Sequence, residues 1–438
     1  MSSGSLPARR LLRRPSAPVT LFSTAYFLML NTAVSGGLGV VYWAVASHLF
    51  SRQEIGQSAA LVSLMVLLTN LSLLNLSSAL PRLLQLSGKF STRLVSSSYA
   101  ACALIGAVVA GLVVGVWSLV SDAGTLGAIP TWLRLVFVVA VAHWTISQLQ
   151  DAVLTGIRRA SLIPAENLAF GLAKLATLVL IGAQIGSGGI FVSWIIAAPL
   201  IALPLNVLIF RRLLPEHARA TPSSRLQRSV VLRYVGIEYV GSLFSQAATN
   251  LLPVIVATSL GAVANSGFYA AFILIVALDT IGTGYATAFT VEATRHPQRL
   301  PAYLRHTEIR VALTLAPVVM ALAVAAPLVL GAFGAGYAED ATAVLRIMLI
   351  GALVRPLVSL ALALNRSRGA SAHVVKLQAI LAVLVVGLVV PGARLGGLEG
   401  VAWAWTVAHV LTACVGLRDL VRHGGHAPAS SASLSTPS

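Results

Sequence analysis

The chain has 438 residues, 57% of them hydrophobic and only 10% charged, with a mean hydropathy of +0.87. A soluble domain carries roughly 25% charged residues, so this composition excludes a water-soluble globular protein and requires lipid to cover most of the surface. The net charge of +17 invites a nucleic-acid partner, but the basic residues are scattered through short loops between apolar runs, which argues against one.

Residues 1–18 form a basic head with Arg9, Arg10, Arg13 and Arg14. The apolar run from Val19 to Phe50 is too long for a signal-peptide core of roughly 7–15 residues, so it is read as a retained first transmembrane helix. A crossing needs roughly 20 apolar residues. On that basis the chain offers about twelve spans: 19–49, 56–79, 97–120, 132–155, 166–184, 189–210, 234–258, 264–290, 310–333, 342–365, 374–391 and 398–418.

Span one carries Asn31 and Ser35 among Gly36, Gly37 and Gly39, where a tilt, a bend or close helix packing is expected. In span four, His143, Ser147, Gln150 and Asp151 recur at helical spacing and share a face. His143 reads as a hydrogen-bonding group between helices or a proton relay. Asp151 and Glu166 flank Arg158 and Arg159, and local salt bridges account for them. Lys174 lies well inside span five, to reach an anion or to snorkel outward.

Residues 19–210 thus make a first six-helix bundle, and 211–233 a linker with six arginines. The second bundle, 234–420, opens with Glu238 near its basic loop and then Ser242, Gln246, Asn250 and Pro253 on one face. Polar stripes on corresponding helices of both halves suggest a hydrated cavity between the bundles. Asp279 in span eight and Arg355 in span ten are charges in the bilayer, which need a partner or a role. They read either as a structural ion pair or as a functional set, with Arg355 on an anion and Asp279 taking a coupling ion. Residues 421–438 read as a disordered tail. Cys102 and Cys414 sit inside apolar runs, where burial is expected and no disulfide framework follows.

Of the 30 Lys and Arg, 24 fall on one side of this arrangement, three (Arg52, Arg134, Arg394) on the other, and three inside spans. The positive-inside rule then places both termini in the cytoplasm, in a multi-pass protein of the cell membrane. Deleting one span would scramble that alternation.

A second regularity is internal. Gly186, Gly189, Ile190 and Trp194 echo Gly397, Gly400, Val401 and Trp405 at an offset of 211 positions. Val45, Ala46, Leu49, Gly56, Ala59 and Ala60 echo Val256, Ala257, Leu260, Gly267, Ala270 and Ala271 at the same offset. The expected fold is therefore all-α, two six-helix bundles related by a parallel repeat, as in many transporters. Asp279 and Arg355 correspond to Leu68 and Trp144, so symmetry is broken where charge is placed.

Several motifs then fall in a familiar order: Leu49-Phe50-Ser51-Arg52-Gln53-Glu54-Ile55-Gly56, Leu80-Pro81-Arg82, Phe333-Gly334-Ala335-Gly336-Tyr337 before Val344-Leu345-Arg346-Ile347, and Gly397-Leu398-Glu399-Gly400-Val401-Ala402. In these the chain resembles, over nearly its whole length, the polysaccharide-transport, O-antigen flippase-like branch of the multidrug/oligosaccharidyl-lipid/polysaccharide exporter superfamily. The resemblance implies alternating access and a polyprenyl-diphosphate-linked oligosaccharide turned from the inner to the outer leaflet. Its partners would be that lipid-linked sugar, membrane lipids, a coupling proton or sodium ion, and polysaccharide-biosynthesis enzymes.

Arg355, Lys174 and Arg52 are the cations for a diphosphate, with Asn31, Ser35, Gln246 and Asn250 as polar contacts; Asp279, Glu238 and His143 are the ion-coupling candidates. Peptidoglycan-precursor flippases of that superfamily carry arginines in the first helix, and this chain has none there. A drug or cation antiporter of the same superfamily is the closest rival. The basic Gly/Asp/Arg motif of major-facilitator carriers is missing between Leu80 and Arg93. A membrane-embedded polymerase or glycosyltransferase would need acids in sizeable outer loops, where only Glu339-Asp340 stand. No Ser/His/Asp set, metal cluster or phosphate loop is visible, so neither enzyme chemistry nor a cofactor is expected.

Overall fold

The computed structural model describes the backbone of residues 21–120, 130–186, 188–221, 228–295 and 297–424. Side chains within 21–34, 118–120, 228–235 and 237–238, and those of 291, 294–295, 297 and 423–424, lie outside the description. The expectations for residues 1–18 and for the tail beyond 424 therefore fall outside it.

The described chain is helical throughout. In order come α1 (Leu21–Leu49), α2 (Arg52–Ser72), α3 (Leu76–Ser87), α4 (Ser91–Val120), α5 (Thr131–Gly156), α6 (Ile163–Thr177), α7 (Ala183–Ile185), α8 (Gly189–Leu208) and α9 (Leu214–Ala220). The second half holds α10 (Arg228–Leu260), α11 (Ala262–Arg295), α12 (Leu300–Gly331), α13 (Tyr337–Ser367) and α14 (Ser371–Gly424). α14 is broken at Gly396 and Gly397, so its two arms are separate crossings. Twelve crossings result: α1, α2, α4, α5, α6 and α8, then α10 to α13 and the two arms of α14. The protein is an all-α integral membrane protein of two six-helix bundles. Large apolar side chains such as Leu313, Val324 and Leu328 stand exposed on the outside, where acyl chains replace water as the solvent.

Boundaries differ from the sequence reading where local chemistry intervenes. The second crossing stops at Ser72 and not at residue 79, because Leu74 and Asn75 take left-handed conformations and restart the chain as α3. Its start is set by a capping box: Ser51 accepts from the Glu54 N–H, and the Glu54 carboxylate accepts from the Ser51 N–H. α1 stays helical through Gly36, Gly37 and Gly39. Two of these glycines meet the other bundle, Gly36 lying against Ala277 and Gly39 against Ile273.

Part of the expected linker 211–233 belongs to the first bundle. A π-turn at Ile209–Leu213 leads into α9, which Arg159–Glu216 and His217–Leu84 contacts tie down. Chain then resumes at Arg228, with residues 222–227 outside the description.

The 211-position echo has a physical basis. Gly186 (φ 69°, ψ −124°) and Gly397 (φ 55°, ψ −135°) turn the chain between the fifth and sixth crossings of each half in a conformation that disfavours a Cβ. Just beyond, the helix pairs touch backbone to backbone: a Cβ on Gly189 would stand 2.1 Å from the Gly182 oxygen, and one on Gly400 2.0 Å from the Gly392 oxygen. Trp194 and Trp405 then anchor the two sixth crossings.

The seam between the bundles runs along α1, α2, α10 and α11. Trp43 of α1 meets Tyr269 of α11 at a centroid distance of 4.7 Å. Near one end the pseudo-twofold relation becomes visible: Gly56 of α2 packs against Ala262 at the start of α11, while its repeat mate Gly267 packs against Arg52 at the start of α2.

Candidate functional site

The predicted polar residues separate into three places. The first is a cavity of about 210 Å³ inside the first bundle, walled by α1, α5, α6 and α8. Ser35, Ser147, Asp151, Glu166 and Lys174 line it, together with Trp144, Phe170 and Gly171. Glu166, Phe170 and Lys174 are each four positions apart on α6 and so share one face. α6 approaches α1 closely because position 171 is glycine; a Cβ there would lie 2.7 Å from Leu38. This cavity lies within the first bundle.

Lys174 does not snorkel outward. Its side chain is 6% exposed, and its ammonium lies 4.4 Å from the Trp194 ring centroid, 4.5 Å from Tyr42 and 5.5 Å from Phe170. Aromatic faces attract a desolvated cation by about 2 kcal/mol. Tyr42 is held in place by its hydroxyl, bonded to the Ile190 carbonyl at 3.0 Å and to Ser193 Oγ at 2.7 Å. Thr177 Oγ1 donates to the Ser193 carbonyl at 3.0 Å, which joins α6 to α8 behind the cage. Among the described residues no carboxylate lies within 4.0 Å of the Lys174 ammonium.

The expected salt bridges of Asp151 and Glu166 with Arg158 and Arg159 are not formed. Arg158 sits in a left-handed turn (φ 62°), and Arg159 is drawn to Glu216 of α9. Asp151 and Glu166 instead meet each other across the α5–α6 interface and line the cavity. Glu166 Oε2 is buried without a hydrogen-bond partner. His143 borders Ser147 one turn away, at 3.5 Å, and Gln150 is bonded to Asn206 of α8 at 3.2 Å.

The second place is an ion pair inside the second bundle. Arg355 Nε lies 2.7 Å from Asp279 Oδ1, with the two side chains 17% and 18% exposed. α11 and α13 come together here because Gly282 packs against Pro356, which follows Arg355. The contact is an ion pair through Nε, and among the described residues Arg355 forms no other ion pair. Trp144, the repeat mate of Arg355, faces the first bundle's cavity and packs on Trp194 at 5.5 Å. Each bundle thus places its own charges at positions the repeat does not relate, a lysine in one (its repeat mate is Val385) and an ion pair in the other.

The third place is the seam at the end opposite the Arg158, Arg159 and Arg212 turns. Arg52 pairs with Asp340 at 2.6 Å, donates to Ser266 Oγ at 3.2 Å, and lies 4.9 Å from the Tyr337 ring centroid. Asn265 donates to the Gly56 carbonyl at 2.7 Å, and a His48 ring nitrogen meets the Ala332 carbonyl at 3.0 Å. Every one of these contacts joins the two bundles. Arg52 is accordingly placed in a latch and not in the cavity.

Gln246 and Asn250 bond to each other along α10 at 2.9 Å and do not line the first bundle's cavity. The side chains of Asn31 and Glu238 lie outside the described residues. Cys102 is buried as expected, whereas Cys414 is exposed on the outer face of α14, where lipid covers it. Of the cage aromatics, Phe170 was not foreseen as a site residue. Trp194 carried a signal, since it is one of the echoed positions.

No protein-family model matches the sequence, and no curated protein matches it. The structure is similar to an inward-facing multidrug-resistance MATE-family transporter of the MOP superfamily (TM-score 0.67, 15% identity, covering 91% of this chain and 94% of that one). It is also similar to an outward-facing one (0.65, 14%, 91% and 95%). A third is a MOP-superfamily transporter from Pyrococcus furiosus, whose binding pocket is described as reversed in polarity (0.66, 13%, 91% and 95%). At these identities the likeness establishes the fold.

Proposed function

We propose that this chain is a membrane transporter whose two bundles alternate access, and that it turns a polyprenyl-diphosphate-linked oligosaccharide from one leaflet to the other. The observation that carries this reading is Lys174: a buried ammonium on a cavity wall, held by aromatic faces, with no carboxylate within 4.0 Å among the described residues. Leaving such a charge unneutralised is costly, and a diphosphate entering the cavity relieves that cost. Arg355, a guanidinium with five N–H donors and one ion-pair partner among the described residues, supplies a second cationic contact in the other bundle. The lipid tail stays in the bilayer while the sugar occupies the polar interior.

Alternation rests on the latch. Arg52, Asn265 and His48 hold the bundles together at one end through contacts that rigid rocking breaks as a set.

A specific observation favours the second reading, a drug or cation antiporter: Asp151 and Glu166 meet in the same cavity beside Trp144 and Phe170. Two adjoining carboxyls and aromatic walls suit an organic cation or a coupling proton.

The two readings assign opposite roles to Lys174. The test measures lipid-linked sugar accumulating in the inner leaflet of a strain deleted for this gene and complemented with variants. For the flippase, Lys174→Gln blocks export and Lys174→Arg retains it in part. For the antiporter, Asp151→Asn with Glu166→Gln abolishes drug efflux, Lys174→Gln spares it, and no lipid-linked sugar accumulates.

A further inference from the structure

A second cavity of about 210 Å³ opens where the first arm of α14 begins and its second arm ends. The arms run antiparallel and touch, since a Cβ on Gly416 would come 3.6 Å from Leu377; on its other side it would meet Ala361 of α13 at 2.9 Å. This contact leaves a cleft with an apolar floor, Leu377 and Val415, and a cationic rim. Lys376 stands on one arm, and Arg418 and Arg422, one turn apart on a single face, stand on the other. His373 completes the rim.

The only acid in the lining, Asp419, is already engaged, because its Oδ2 accepts from Asn365 Nδ2 at 3.0 Å. Among the described residues no carboxylate lies within 4.0 Å of Lys376, Arg418 or Arg422. The start of α14 adds the positive end of a helix dipole at the same place. Next to the rim, Leu417 and Val421 are exposed, 44% and 67%, on the outer surface of the bundle. Basic residues that merely obeyed a topological charge bias would be scattered over the loops. Here three from two helix arms converge on one pocket, and apolar surface continues directly from it into the bilayer.

We propose that this cleft binds the phosphate headgroup of an anionic membrane lipid. The phosphate lies among Lys376, Arg418 and Arg422, and an acyl chain lies along Leu417 and Val421. The site is separate from the transport cavity, which lies in the other bundle, and it does not depend on the substrate assigned there. Basic pockets between transmembrane helices recognise lipid phosphates in this way, each Lys or Arg near the membrane surface contributing about 1 kcal/mol. A lipid seated here bridges the two arms of α14 and braces the last hairpin of the second bundle.

The test is native mass spectrometry of the full chain released from detergent, with phosphatidylglycerol or phosphatidylcholine added. Arg418→Gln/Arg422→Gln is compared with Arg366→Gln/Arg368→Gln, which removes the same charge from the neighbouring loop. The expected result is phosphatidylglycerol retained by the wild type and the loop variant, and held roughly thirtyfold more weakly by the cleft variant. Lys376→Gln, on the other arm, should give a smaller loss in the same direction and guards against a folding defect confined to the last helix.

Equal losses in both double variants would reduce the effect to a diffuse basic field and overturn the site. Equal retention of phosphatidylcholine would make it an apolar groove and overturn it as well. Full displacement by inorganic phosphate would assign the cleft to a soluble anion and not to a lipid.

Discussion

The Asp279–Arg355 pair allows a quantitative test of whether a charge in the second bundle is scaffold or machinery. At 2.7 Å and an effective dielectric near 20, the Coulomb attraction is about 6 kcal/mol before desolvation is subtracted. Both side chains are more than four-fifths buried, so each ion has given up most of its hydration. Removing one partner strands the other, at a cost of about 3–5 kcal/mol. Asp279→Asn and Arg355→Gln should each lower stability by that amount in a detergent unfolding assay. The double variant should recover most of the loss, because two neutral amides need no counter-ion. Export is then measured on the same three proteins. If the pair only braces α11 against α13, stability and export recover together in the double variant. If Arg355 also meets the substrate, stability recovers and export does not. Single variants as stable as the wild type would refute the reasoning, since no buried charge would then have been stranded.

Other consequences of the geometry can be measured directly. Gly189→Ala and Gly400→Ala place a methyl group about 2 Å from a facing carbonyl oxygen; overpacking of this kind costs about 1–3 kcal/mol, and the two melting temperatures should fall by similar amounts. Unequal falls would mean that the echoed turns are not equivalent. Arg52→Ala removes a partly exposed ion pair and a cation–π contact, together about 1–2 kcal/mol, and should shift the bundles away from the latched state by roughly tenfold. Alkylation of a Ser266→Cys reporter, buried in the latched state, should rise in that background once Cys102 and Cys414 are replaced; unchanged labelling would dismiss the latch. Gly56→Val puts a side chain into the Ala262 backbone, 1.8 Å from its oxygen, and should leave the reporter labelled even with Arg52 intact. Phe170→Leu keeps an apolar wall but removes one face of the Lys174 cage, and should weaken export less than Lys174→Gln does; an equal loss would mean that the aromatic cage, and not the charge, carries recognition.

Much of the architecture was readable from residues alone, because a bilayer admits few solutions. Runs of about twenty apolar residues must be helices, since hydrocarbon offers no partner for an open backbone group. The fixed offset between Gly186 and Gly397, and between Gly189 and Gly400, then showed the duplication: the first pair holds a positive φ and the second touches a facing backbone, and neither position accepts a Cβ without strain. Charge counts located spans, but side-chain partners were another matter. Arg158 and Arg159 are neighbours of Asp151 and Glu166 in the chain, yet a left-handed turn and the arrival of α9 separate them. Arg52 looked available to a substrate and instead closes the seam against Asp340, 288 positions away.

What the sequence by itself determined is therefore the solvent, the number of crossings and the repeat, all of which follow from local hydrophobicity and spacing. What only the tertiary structure decided is which charges are neutralised. Asp279 and Arg355 are paired, Lys174 is left to aromatic rings from three helices, and the cations of α14 gather at a cleft. Electrostatic energy falls off with distance through space and takes no account of separation along the chain. A list of residues can therefore name the charges, but only the packed helices show which of them remain to meet a ligand.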